Sequence, residues 1–147
     1  MIYTKLTIKA MEVAFSAHFG QKDKAGAPYI FHPFHIAENM PDEDTTVIAL
    51  LHDVIEDTDL TASDLRKFGF TPLQVEAVVA MSRKKDEQYF DYIQRVKANN
   101  YARIVKLADL KHNSDKSRLL TLPQEEQDKM NKLIDERYKK AIKMLKE

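Results

Sequence analysis

The stretch Val47-Ile48-Ala49-Leu50-Leu51-His52-Asp53-Val54-Ile55-Glu56-Asp57 decides the fold. Its first half is an unbroken apolar run, which marks a helix buried on all sides. Its second half sets one histidine and three acids into that buried helix. Residues four apart share a helix face, so the spacing predicts His52 over Glu56 and Asp53 over Asp57, within roughly 140° of the circumference. Buried carboxylates need a metal, a cation or strong hydrogen bonds. His32 upstream and Asp109 downstream bring the set to two imidazoles and four carboxylates, enough for one metal-centred site.

Outward from that stretch the chain reads as all-α, with about seven to eight helices in a single domain over residues 1–147. Only three glycines and five prolines occur, and both fall between apolar periodic segments. Helix one is expected from Thr4 to His18, stopped by Gly20. A loop follows from Gln21 to Tyr29. Pro33 fits the first turn of helix two, ending near Met40. Asp42, Glu43 and Asp44 open helix three, where the helix dipole favours acids. Thr61 with Asp64 caps a short fourth helix, and Thr71-Pro72 with Gln74 opens a fifth to Met81. Tyr89–Ala98 and Ala102–Asn113 are expected as the sixth and seventh. The last carries a stripe of Met130, Leu133, Ile134, Tyr138, Ala141, Ile142 and Leu145, with Thr121 and Gln124 as its cap.

Composition narrows the function classes. At 147 residues the chain can bury one real core. Lys+Arg and Asp+Glu both count 23, so no net field argues for nucleic acid or a membrane surface. The absence of cysteine excludes disulfides, thiolate metal sites and a thiol nucleophile, and fits a cytoplasmic protein. Met1-Ile2-Tyr3-Thr4-Lys5 lacks the apolar core of a signal peptide.

Three features strengthen the His52-Asp53 pair. His32 lies between Pro28 and Pro33, on a restricted backbone before a helix. Asp109 and Asn113 fall on one face of helix seven. Glu56 and Asp57 sit one turn beyond the pair, at a helix end whose dipole disfavours acids. Imidazole and carboxylate ligands suit Mn²⁺, Fe²⁺, Co²⁺ or Zn²⁺ better than Ca²⁺. Lys106, three residues before Asp109, is a candidate for the same face or for the surface. Arg83-Lys84-Lys85 reads as a solvated loop, or as a basic collar for a polyphosphate. His18, His35 and His112 read as packing or surface residues, and Tyr29 as structural or lining the pocket.

Four segments together resemble the HD hydrolase domain of RelA/SpoT-type enzymes, in that family's order and spacing. They are Ala17-His18-Phe19-Gly20-Gln21, Pro28-Tyr29-Ile30-Phe31-His32-Pro33, Ala49 through Thr58, and Lys106-Leu107-Ala108-Asp109 with Asn113. The resemblance implies an HD fold, metal ligands at His32, His52, Asp53 and Asp109, and catalytic carboxylates at Glu56 and Asp57. It implies Mn²⁺-dependent release of the 3′-pyrophosphate from guanosine tetra- or pentaphosphate, the nucleotides of the stringent response, by a small stand-alone hydrolase. Lys24, Lys106, Asn113 and Arg83 are the candidate substrate contacts. Two alternatives stand beside this reading: an HD phosphohydrolase of another nucleotide or phosphate ester, and a nucleotide-sensing module without turnover.

The chain departs from the family where substrate is held. Asp23 stands in the loop where the family usually has an arginine that helps hold the guanine. Leu110 and Asp115 stand where it often has further arginines. Lost guanidinium groups mean lost charge and lost stacking, so weaker guanine recognition is expected.

Overall fold

The computed structural model describes all 147 residues. Its ten α-helical segments are α1 (Lys5–Ala17), α2 (Phe31–Glu38), α3 (Glu43–Leu51), α4 (Val54–Asp57), α5 (Ala62–Lys67), α6 (Pro72–Met81), α7 (Tyr89–Lys97), α8 (Asn100–Asn113), α9 (Gln124–Leu133) and α10 (Lys139–Lys146). Segments α3 and α4 are separated by two residues only, and a π turn at Ile134–Tyr138 joins α9 to α10 in one rod. Eight helical bodies result, as the sequence leads one to expect. The only extended pairing is an isolated bridge between Lys22 and Pro28.

α3 is the axis of the fold. Every residue from Thr45 to Leu51 is buried, and α1, α2, α6 and α8 pack around it. A buried leucine in such a helix is worth about 2–5 kcal/mol against alanine. The two buried threonines are satisfied locally. Thr46 Oγ1 donates to the Asp42 carbonyl at 2.6 Å and Thr45 Oγ1 to Asp42 Oδ1 at 2.6 Å. Asp42 also accepts from the Thr45 amide at 2.8 Å, so the acidic start is a true N-cap. The Thr61–Asp64 and Thr71–Gln74 capping boxes form as well.

Two expectations about local structure are corrected. The central helix does not run through the acidic cluster: it breaks at His52 and Asp53 and resumes for one turn at Val54. The expected i to i+4 pairing holds for Asp53 and Asp57, whose carboxylates group with Glu56 and whose backbones are bonded at 2.9 Å, while His52 groups with His32 and Asp109 instead of Glu56. The His52 ring folds back on its own turn, where Nδ1 donates to the Ala49 carbonyl at 2.6 Å. The last rod is not capped by Thr121 with Gln124. Pro123 precedes it without a side-chain cap, Gln127 takes the Leu122 carbonyl at 2.8 Å, and Gln124 is spent on Asp128 at 2.9 Å. Its apolar stripe does face inward, with Ile134, Ala141 and Leu145 buried. No helix is long and apolar enough to cross a membrane.

Candidate metal centre

Four segments deliver the site. The Pro28–Ile30 turn starts α2 and places His32 in its first turn. The α3–α4 break carries His52 and Asp53, α4 carries Glu56 and Asp57, and α8 carries Lys106, Asp109 and Asn113 on one face. His32, His52 and Asp109 are buried together, with ligand-capable atoms within 4.8 Å of one another. Asp53, Glu56 and Asp57 form a second such group. Asp53 joins the two, since its Oδ2 lies 3.0 Å from His52 Nε2.

The inner group has the chemistry of a cation site. His32 Nε2 is 2.8 Å from Asp109 Oδ1, and His52 Nε2 is 3.5 Å from the same oxygen. Yet His52 Nε2 is fully buried and makes no well-directed hydrogen bond. It lies 3.0 Å from Asp53 Oδ2 and 3.5 Å from Asp109 Oδ1 without a hydrogen bond to either. That is the arrangement a divalent ion satisfies, with Nδ1 of His52 fixed on Ala49 in the tautomer that leaves Nε2 as the ligand. Burial works against charge on His52, but Asp53 and Asp109 prevail and hold a proton there above the usual imidazole range. A divalent ion takes the place of such a proton.

Around this centre each donor has a holder. Tyr29 donates its hydroxyl to Asp53 Oδ2, which with burial pushes the phenol well above its ordinary range. Lys106 is not a surface lysine: its Nζ donates to Asp109 Oδ2 at 2.8 Å, and it packs over the Tyr92 ring at 5.3 Å. Burial opposes the charge of both partners, but mutual attraction keeps Lys106 high and Asp109 low. Asn113 does not reach outward either. Its Nδ2 donates to Asp109 Oδ1 at 3.0 Å. His32 Nδ1 meets His112 Nδ1 at 2.7 Å.

The outer carboxylates are more accessible. Burial, with the nearby charges of Asp53 and Glu56, pushes the Asp57 carboxyl up to about 6. Glu56 is raised as well, chiefly by burial, and its Oε1 accepts from the Arg83 amide at 2.7 Å. The Arg83 backbone, not its side chain, is thus what touches the acids. Its guanidinium donates to the Glu87 carbonyl at 3.1 Å and lies over Tyr89. Lys24 lines a 310 Å³ cavity that also contains His32, Tyr29, Asn113 and Arg118. A larger groove of 710 Å³ reaches the site only through Asp57.

Two residues escaped the sequence reading, His112 and Arg118. His112 was expected as packing or surface, but it holds a candidate ligand. Tyr29, expected as structural or pocket-lining, does both: its hydroxyl is on Asp53 and it lines the cavity. Arg118 carried no signal, because it reaches the cavity from a 3₁₀ turn (Lys116–Leu119) beyond α8. His18 is buried packing as expected, with Nδ1 2.9 Å from Gln21 Oε1.

No family model matches the chain. It is 36% identical over 121 residues to the bifunctional (p)ppGpp synthase/hydrolase SpoT of Escherichia coli, covering 71% of this chain and 17% of that protein. It is 35% identical over 130 residues to a GTP pyrophosphokinase of Streptomyces coelicolor, covering 80% of this chain and 15% of the relative. A guanosine-3′,5′-bis(diphosphate) 3′-pyrophosphohydrolase of Aquifex aeolicus is 42% identical over 66 residues, 42% of this chain and 10% of the relative. The chain thus spans between a tenth and a sixth of the length of these curated proteins. Among solved structures, that of a metazoan ortholog of SpoT superposes with a TM-score of 0.68, at 22% identity, over 99% of this chain and 96% of that one. That likeness makes the fold an all-α HD-domain fold. By sequence, 71% and 80% of this chain match a part of two RelA/SpoT-type proteins.

Proposed function

We propose that this chain is a metal-dependent phosphohydrolase that releases the 3′-pyrophosphate of guanosine tetra- or pentaphosphate. The observation that carries the reading is the convergence of His32, His52 and Asp109 beside the Asp53, Glu56 and Asp57 group. The names of the relatives point to the same nucleotide chemistry: Escherichia coli SpoT is a (p)ppGpp synthase/hydrolase, and the metazoan ortholog hydrolyses ppGpp.

His32, His52, Asp53 and Asp109 would hold one divalent metal, Mn²⁺ by family resemblance. The metal supplies positive charge against phosphate oxygens and makes a bound water more acidic. Everything else falls to the chain. Asp57, raised to about 6, is suited to take the proton of the attacking water near neutral pH. Glu56, fixed by the Arg83 amide, orients that water. The water oxygen bonds to the phosphorus next to the ribose, the bond from that phosphorus to the 3′-oxygen breaks, the 3′-oxygen takes a proton from solvent to become the ribose hydroxyl, and pyrophosphate is released. Lys106 and Asn113 keep Asp109 in place and serve as positioning residues, in contrast to the substrate contacts expected of them. Lys24 remains a candidate contact in the cavity, and Arg83 contributes through its backbone.

The chain is read as one phosphohydrolase domain over residues 1–147, acting in the cytoplasm on a small nucleotide and not on nucleic acid. The deciding experiment is Mn²⁺-loaded protein against a nucleotide panel, with pyrophosphate and orthophosphate followed separately. Pyrophosphate from guanosine tetraphosphate is expected. Cleavage of another nucleotide alone makes it a different HD phosphohydrolase, and binding without turnover makes it a sensor.

A further inference from the structure

The cavity that shares His32 and Tyr29 with the candidate metal centre is closed by Met130 and Tyr138 of the C-terminal rod. Two charged side chains meet in it. Arg118 Nη2 lies 3.6 Å from Asp23 Oδ2, with 28% and 20% of the two side chains exposed. Each is anchored on its own backbone. Arg118 Nη1 donates to the His112 carbonyl at 3.1 Å and reaches Asn113 Oδ1 at 3.4 Å. Asp23 Oδ1 accepts from the Ala25 and Ala27 amides at 3.0 and 2.9 Å, around a turn that needs Gly26 at φ 89°. Asp23 is therefore the clasp of the loop.

Those anchors leave Asp23 Oδ2 as an uncommitted acceptor and Arg118 Nη2 and Nε as uncommitted donors. The 3.6 Å between Nη2 and Oδ2 is beyond hydrogen-bond length. A donor and an acceptor so held, side by side and unclosed, match a ligand edge with a donor next to an acceptor. A phosphate suits this pair less well, because Asp23 cancels the attraction of Arg118, and Lys22 and Lys24 in the same cavity are the cations that no acid pairs with. A guanine edge suits it: N1–H donates to Asp23 Oδ2 while O6 accepts from Arg118. Adenine presents donor and acceptor in the reverse order. Tyr29, Met130 and Tyr138 supply flat and polarisable surface for the ring.

We propose that Asp23 and Arg118 together read the guanine edge of the substrate, with Arg118 as the specificity residue. The inference rests on the nucleotide reading above and reverses the expectation that Asp23 weakens guanine recognition. The guanidinium enters from the far wall of the cavity instead of from the loop.

The test uses full-length Mn²⁺-loaded protein and two readouts. Calorimetry compares guanosine and adenosine 5′-diphosphate binding, and turnover compares guanosine tetraphosphate with its adenine counterpart. Wild type should prefer guanine, and Arg118→Met should reduce that preference about tenfold or more, the worth of one base-edge pair. The loss should fall on KM with kcat kept. Asp23→Asn, which retains an oxygen for the loop turn, should relax the preference too, and it decides the question if Arg118→Met loses its metal on elemental analysis. An unchanged preference in both variants overturns the proposal, as does an equal loss for both bases, which would make Arg118 an anion anchor. Guanine-selective binding that depends on Arg118 without any turnover would leave this inference standing and remove the hydrolase reading. Turnover without base preference would do the converse.

Discussion

The His32 and His112 rings meet nitrogen to nitrogen, Nδ1 to Nδ1 at 2.7 Å, with their planes 11° apart. Burial and the neighbouring Arg118 and His32 hold His112 down to about 4, so at neutral pH it is an uncharged acceptor. It then accepts a hydrogen bond from His32 Nδ1–H, which leaves His32 Nε2 as the nitrogen with a lone pair to ligate. Metal-binding histidines are usually held by a carboxylate or carbonyl, and here the holder is a second imidazole. His112→Leu should weaken metal binding about tenfold to a hundredfold. His112→Gln, whose amide oxygen can accept the same proton, should recover most of it. Equal metal dissociation constants in all three proteins would show that the contact does not position the ligand.

Asp53 links the inner and outer groups, and its loss should be felt by both. Asp53→Ala should remove the metal from purified protein and lower the thermal midpoint of the loaded form, because metal affinity is also folding free energy. It also strands the buried Tyr29 hydroxyl, which now donates to Asp53. Full metal content on elemental analysis would take Asp53 out of the ligand set.

Glu56 and Asp57 separate chemistry from binding. Glu56→Gln and Asp57→Asn should keep metal content and lower kcat by about two orders of magnitude, the scale of a positioned acid–base group. Asp57→Asn should also raise the stability of the metal-free protein at pH 7. A carboxyl raised to about 6 is ionised there at a cost that the amide avoids. The gain should be only about 1 kcal/mol, since the side chain is exposed and solvent screens it. Wild-type kcat in both variants would reduce the pair to an acidic helix end.

Much of this was legible in the chain because the informative residues are local. The buried run Val47–Leu51 announces its helix, the capping boxes mark their own starts, and His32, His52, Asp53 and Asp109 stand out by chemistry. What was not legible depends on chain crossings. His112 touches a residue 80 positions away, and Arg118 meets Asp23 only after α8 has been laid against α2. The break at His52-Asp53 was hidden for a different reason: no glycine or proline marks it, and the local sequence continues a helical pattern.

The loop that carries Arg83 to Glu56 is tied by one acid. Glu87 accepts from Arg95 Nε and Nη2 at 2.9 Å each and from the Lys84 amide at 3.1 Å, and those bonds, Arg95 first, bring its carboxyl down to about 2. A folded-state value below the unfolded one stabilises the fold above about pH 4.5, and that contribution is lost as pH falls towards 2. Arg95→Met should therefore flatten the acid limb of the stability curve between those values. It should also speed amide exchange at Arg83, whose N–H holds Glu56. An acid limb identical to wild type would show that Glu87 titrates no differently in the folded chain.

Lys106 is the residue whose removal should be hardest on the chain. Its ammonium is buried with Asp109, 2.8 Å from Oδ2, while the other oxygen faces both imidazoles. Lys106→Met keeps the length of the side chain but leaves Asp109 short of its cation. Breaking one side of a buried pair costs about 3–5 kcal/mol. In the metal-free protein that full loss is expected, read as a shift of the denaturant midpoint. In the Mn²⁺-loaded protein it should shrink, because the ion supplies the positive charge that Lys106 no longer does. If the loss is the same size with and without metal, Asp109 is not shared between the lysine and the ion, and its place as a ligand fails. If the loss is absent in both, the ammonium is not what keeps Asp109 ionised.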